Sequence, residues 1–154
     1  MSEYVRDYPR PPRVEPAIQR VRIVYHGQTI ADTTHAQRVL ETYGAPVYYL
    51  PAGDVRIELL TETARTTLCE WKGSASYYSL RVGERTLENV AWTYHQPNPG
   101  YAAIRDHIAF YCAPMDACYV GDEQVRPQPE RFYGGWITDD VIGPFKGEPG
   151  TEGW

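Results

Sequence analysis

Cys69 and Lys72 stand three residues apart in the segment Thr67-Leu68-Cys69-Glu70-Trp71-Lys72-Gly73-Ser74-Ala75-Ser76-Tyr77-Tyr78, the cysteine at a strand end and the lysine beside a turn glycine. An ammonium close to a thiol lowers the thiol pKa, and the thiolate so formed is a nucleophile. Cys69 is therefore the candidate catalytic residue. Nucleophilic catalysis also wants a general base, and none of the four histidines stands near Cys69 in sequence. A small apolar residue ending a strand, followed by a solvated turn lysine, is the plainer reading of the pair.

Metal chemistry finds little support in the spacings. Cys112 and Cys118 are six apart, Cys69 is isolated, and neither a Cys-x-x-Cys nor a His-x-x-x-His pair occurs. Only a site assembled through the fold from Cys69, His107 and Cys112 is left, so no metal and no cofactor are expected. Nucleotide chemistry fares no better, because Gly-x-x-x-x-Gly-Lys-Ser/Thr and Gly-x-Gly-x-x-Gly are both missing. Gly73-Ser74 is not followed by the paired carboxylates that would hold magnesium on a triphosphate. Asp139 and Asp140 are adjacent, which on an extended chain aims them at opposite faces.

A ligand-binding constellation is the remaining possibility. Arg38, Tyr48, Tyr49, Asp54, Lys72, Tyr77, Trp92 and Tyr94 are polar or amphipathic residues set next to apolar strands, the mixture found in concave small-molecule sites. Arg38 precedes the strand that carries Tyr48, and Lys72 occupies the turn before the strand that carries Tyr77. A compact sheet would bring both cations to one cleft lined by Tyr48, Tyr77 and Trp92, with Asp54 as the nearest acid to separate them. The competing assignment puts the aromatics in the core and the charges on a solvated rim.

The elements that must position these residues are mainly β. Val21, Ile23 and Tyr25 alternate with Arg22 and Val24, Gly27-Gln28 resembles a type II′ turn, and residues 29–33 return as a second strand. The same device recurs at Gly83-Glu84, between residues 77–82 and 86–94, and at Gly121-Asp122, between 117–120 and 123–125. Further strands are expected at 46–50, 55–59, 66–69 and 107–111. Helical signals are short: 34–43, capped at Thr33 or Thr34 and stopped by Gly44, and one turn at 101–106. The expected architecture is antiparallel sheets and hairpins, tent-like or barrel-like, over residues 18–125. It is preceded by a proline-rich extended arm, 1–17, and followed by a long irregular tail, 126–154, anchored by Phe132, Tyr133, Trp136, Phe145 and Trp154.

Composition limits the partners. A chain of 154 residues with net charge −5 carries no basic stripe for phosphates, so nucleic acid is not expected, and Arg6, Arg10 and Arg13 in the arm read as a solvated cluster. No apolar run approaches a membrane span, and three cysteines without a secretory segment point to a reducing cytoplasm. Thirteen tyrosines and four tryptophans favour a β protein with a groove or cavity, because a tyrosine ring packs while its hydroxyl still needs a partner.

Several ordered motifs carry a family resemblance: Arg38-Val39-Leu40-Glu41, Pro46-Val47-Tyr48-Tyr49-Leu50-Pro51 with Asp54-Val55, Cys69 to Tyr77, Ala91-Trp92-Thr93-Tyr94 and Ile108-Ala109-Phe110-Tyr111. Over residues 20–125 the chain resembles the bacterial domain of unknown function family 427, sometimes labelled nucleotidyltransferase-like. The resemblance implies a compact β fold, similar to the tent-like sheets of zinc-knuckle proteins with the ligands lost, and brings no established activity. Arg38, Asp54, Cys69, Lys72 and Tyr77 match its motif positions. The expected function is binding of a small anionic or aromatic molecule by Arg38, Tyr48, Asp54, Lys72, Tyr77 and Trp92. The alternatives are an enzyme with Cys69 as nucleophile, or an interaction protein whose aromatic tail binds a partner or a second copy.

Overall fold

The computed structural model describes residues 2–129 and 133–151, and their regular structure is mainly β. Strands β1 (Glu3–Tyr4) and β2 (Arg13–Pro16) precede β3 (Val21–Tyr25), β4 (Gln28–Thr33), β5 (Gln37–Leu40) and β6 (Val47–Tyr49). The two longest strands follow, β7 (Leu60–Cys69) and β8 (Gly73–Val82), then β9 (Arg85–Thr93), β10 (Ile108–Phe110), β11 (Ala117–Val120) and β12 (Glu123–Gln124). The tail adds β13 (Arg126–Pro127), β14 (Trp136–Ile137) and β15 (Val141–Ile142). The helical pieces among the described residues are four 3-10 turns of three residues each.

The hairpins lie where alternation and glycine put them. β7 to β10 form one antiparallel sheet in the order β10-β9-β8-β7, and β12-β11-β3-β4 form a second. Gly83 and Gly121 take φ of +62° and +61° at the first turn position, as a type II′ turn requires. The first hairpin differs by one residue. Its turn is His26-Gly27, with φ of +49° and +75°, so both central residues are left-handed and the turn is of the I′ kind.

Two segments depart from local expectation. Residues 34–43 hold no helix; β5 lies there between β2 and β6, with Val39 opposite Val14 on one side and Val47 on the other. Partners on both edges satisfy its main-chain groups, and Val39 and Leu40 are both buried, so tertiary pairing overrides a weak helical preference. Residues 55–59 hold no strand either: Val55 makes a single bridge to Ala31, and Ile57–Leu59 is a 3-10 turn. Part of the proline-rich arm is recruited as β2, an edge strand, where the missing N–H of Pro16 costs no interior ladder bond. The one-turn helix expected at 101–106 is the 3-10 turn Ala102–Ile104.

The three-stranded sheet β2-β5-β6 continues into the β10 edge of the four-stranded sheet through Leu50 and Ile108. These two exchange main-chain hydrogen bonds of 2.9 and 2.8 Å. The resulting bent sheet has two faces with different fates. One, with Tyr48, Leu50, Leu80, Ile108 and Phe110, packs on β3, β4 and β11 as the main core. The other gathers Val39, Tyr49, Ala75, Tyr77, Trp92 and Tyr94.

The described part of the tail closes against this body. Trp136 is buried in the main core, its amide donating to the Pro46 carbonyl at 2.9 Å and its Nε1 to the Phe110 carbonyl at 3.0 Å. Phe145 and Val141 complete a third apolar cluster with Val5, Tyr8, Leu40 and Ala45, next to the parallel pair β1-β15. Phe132 and Trp154 lie outside the described residues. No helix of the described residues is long and apolar enough to cross a membrane.

Candidate functional site

The second face of the bent sheet is the floor of a cavity of about 360 Å³. Strand register assembles it. Tyr77 on β8 stands opposite Trp92 on β9, which stands opposite Ala109 on β10, so two large rings and one small residue share a row across the sheet. Tyr49, from the next part of the bent sheet, meets Trp92 edge to face, with ring planes at 89° and centroids 6.5 Å apart. Tyr111 packs against Trp92 with ring centroids 4.7 Å apart and also lines the cavity.

Hydrogen bonds fix the rings. Trp92 Nε1 donates to the Tyr49 hydroxyl at 3.2 Å, and the hydroxyls of Tyr77 and Thr67 share a bond of 3.1 Å. Burial holds the Tyr49 and Tyr94 phenols well above the usual tyrosine range and pushes Tyr111 up to about 12. All three therefore stay neutral near pH 7, as hydrogen-bonding groups rather than bases. Arg65 covers the Tyr77 ring at 4.9 Å from its centroid, and the Lys72 ammonium lies 6.0 Å from the centroid of Tyr94.

Cys69 and Lys72 reach the cavity from the turn between β7 and β8. The Lys72 amide donates to Cys69 Sγ at 3.5 Å, which fixes the sulfur against the turn. Asn98 pins the turn from outside, its amide donating to the Lys72 carbonyl at 2.9 Å and its Nδ2 to the Trp71 carbonyl at 3.1 Å. Gly73 completes the turn with φ of +110°, a conformation that side chains disfavour.

The residues singled out in the sequence divide into two groups. Cys69, Lys72, Tyr77 and Trp92 line the cavity. Arg38 and Tyr48 do not: they stand opposite each other on β5 and β6 and line a different groove of about 330 Å³, while their neighbours Val39 and Tyr49 face the cavity. The single cleft expected for Arg38 and Lys72 is thus two sites, because side chains alternate along a strand and Arg38 and Val39 must diverge. The acids beside Arg38 are Glu3 and Glu15 rather than Asp54, which instead accepts a hydrogen bond of 2.7 Å from Thr33.

Other cavity residues escaped the sequence reading. Tyr111 follows a strand end, and Gln128 and residues 133–135 belong to the tail, with no local pattern that directs them here. Cys112 is in the main core and His107 Nδ1 contacts the Arg105 carbonyl at 3.0 Å, so neither joins Cys69. Among the described residues no group of three His, Cys, Asp or Glu side chains is placed to hold a metal ion, and the three cysteines are unpaired.

No curated protein matches the chain. The model of the domain of unknown function DUF427 matches residues 13–121, which hold the bent sheet, the Cys69 to Gly73 turn and most of the cavity floor. The chain belongs to the DUF427 family.

Proposed function

We propose that this domain binds a small planar aromatic molecule bearing an acidic group, in the cavity between Trp92 and the Cys69 to Gly73 turn. One observation carries the reading: Tyr49, Tyr77, Trp92, Tyr94 and Tyr111 line a single cavity of ligand size together with Lys72. The rings offer flat apolar surface, the neutral phenols offer hydrogen bonds, and Lys72, beside the Tyr94 ring, offers a positive charge for an acid, with Lys146 on the far wall and Glu41 and Glu70 as the acids of the lining. The reading needs no metal or cofactor. Three unpaired cysteines fit a reducing compartment, and the cytoplasm is the proposed one.

Aryl carboxylates test it. 2-Naphthoate at about 100 times its Kd should stabilise the fold by about 2.7 kcal/mol, a clear rise in melting temperature. Lys72→Ala should weaken that rise, whereas Arg38→Ala should lower the starting stability and leave the ligand-induced increment intact. Equal increments for naphthoate and uncharged naphthalene-2-carboxamide, in the wild type and in Lys72→Ala, would refute an anion site at Lys72.

A second reading, Cys69 as a nucleophile, draws on the Lys72 amide directed at its sulfur. Alkylation of Cys69 by iodoacetamide, followed against pH, distinguishes it. An activated thiol reaches half its maximal rate well below the ordinary cysteine pKa of about 8.5, and a midpoint at or above that value rejects the nucleophile.

A further inference from the structure

The family match ends at residue 121, yet one wall of the cavity is built beyond it, by Gln128, residues 133–135 and Lys146. Gln128 clasps this wall to the body. Its buried side chain accepts at Oε1 from the Ala45 amide and donates from Nε2 to the Lys146 carbonyl, both at 3.0 Å. The Gln128 amide in turn donates to the Gly135 carbonyl at 3.1 Å.

At Gly134 the wall meets the floor. A Cβ placed on Gly134 would stand 2.3 Å from Cη2 and 2.8 Å from Cζ2 of Trp92, far inside van der Waals contact. Gly134 is not in the left-handed region, so it is required for space and not for backbone conformation. The indole is held in place by the bond from Nε1 to Tyr49 and by Tyr111 packed against its ring.

We propose that Gly134 is a specificity-determining residue: its bare Cα seats residues 133–135 on Trp92 and thereby sets the largest aryl acid the cavity accepts. The inference rests on the binding reading above and adds the part of the chain that limits ligand size. With the indole anchored, the added methyl of Gly134→Ala lifts residues 133–135 and enlarges the cavity on that side.

The test compares benzoate with anthracene-2-carboxylate in the full chain labelled with 5-fluorotryptophan, with the Trp92 fluorine signal assigned through Trp92→Phe. Gly134→Ala should move the Trp92 signal and shift the affinity ratio of the two probes toward anthracene-2-carboxylate by roughly tenfold, the scale of a one-carbon change in an apolar pocket. An unchanged ratio with both probes binding overturns the role of Gly134 and leaves the binding reading standing. If neither probe binds the wild-type chain, the binding reading falls and the specificity role falls with it. Should Gly134→Ala fail to fold, Trp92→Phe combined with Gly134→Ala decides the contact, because phenylalanine lacks the far indole carbons that the methyl would strike. Folding of the double variant supports the contact, and equal damage on both backgrounds overturns it.

Discussion

Arg38 and Glu3, thirty-five residues apart, are joined by two hydrogen bonds, from Nη1 to Oε1 at 3.1 Å and from Nη2 to Oε2 at 2.7 Å. The pair ties the first strand to the centre of the β2-β5-β6 sheet, and Tyr8 adds its hydroxyl to Glu3 Oε1 at 2.6 Å. This arginine is a structural clamp for the N-terminal segment.

Removing the guanidinium leaves Glu3 and Glu15 facing each other, so Arg38→Met should destabilise the fold by about 2 kcal/mol, reduced from the fully buried case because Glu3 is partly solvated. The pH dependence has a fixed sign. The Arg38 hydrogen bond holds the Glu3 carboxyl below its ordinary 4.5, so its contribution is complete above that pH and is lost as pH falls through the lower folded value. Urea unfolding between pH 2 and 7 should show a shallower acid loss in Arg38→Met than in the wild type, and parallel curves would refute the clamp.

His95 lies between two carboxylates, with Nε2 2.6 Å from Glu62 and Nδ1 2.8 Å from Asp106, and so bridges β7 to the turn before β10. The hydrogen bonds to Glu62 and Asp106 raise its pKa above 6.5. A raised histidine stabilises fully below the unfolded value and loses that contribution as pH rises through the folded one. Proton NMR should find His95 titrating above 6.5, and Glu62→Gln should bring it down. A midpoint at or below 6.5 in the wild-type chain would contradict the bridge.

Trp136 is 1% exposed and hydrogen-bonded through both its main-chain and side-chain nitrogens, although it belongs to a segment rich in glycine and proline. Trp136→Ala should cost about 3–5 kcal/mol in urea unfolding, as for other large core deletions. Loss of under about 1 kcal/mol would mean that the tail does not hold the core.

What could be read from the chain was local. Glycine turns and alternating apolar residues gave the hairpins, because both signals lie within a few residues of the structure they produce. Strand parity could not be read where two similar residues are adjacent: Tyr48 and Tyr49 both suit a pocket, and only the pairing of β5 with β2 and β6 decides that Tyr49 faces the cavity while Tyr48 packs on Trp136 at 5.3 Å. The same parity separates Arg38 from Lys72. The wall at Gln128 and Gly134 was illegible for a different reason, since its contacts with Ala45 and Trp92 join remote parts of the chain and glycine leaves no side chain to suggest them.

Gly73 offers the last prediction, one that separates backbone shape from the chemistry of the Cys69 to Gly73 turn. Its φ of +110° closes the β7-β8 hairpin opposite Cys69, and a Cβ there would stand 3.3 Å from Asn98 Oδ1, the side chain whose amide group holds Trp71. Alanine must therefore strain the backbone and press on Asn98 together, and Gly73→Ala should lose about 1–3 kcal/mol of stability. The turn would also carry Lys72 away from Tyr94, so 2-naphthoate affinity should fall alongside stability. Gly53 is the control, because it has open space where its Cβ would be and no left-handed φ. Gly53→Ala should stay within about 0.5 kcal/mol of the wild type and keep its ligand response. Equal effects of the two substitutions in urea unfolding would show that the turn is not held in the conformation that positions Lys72.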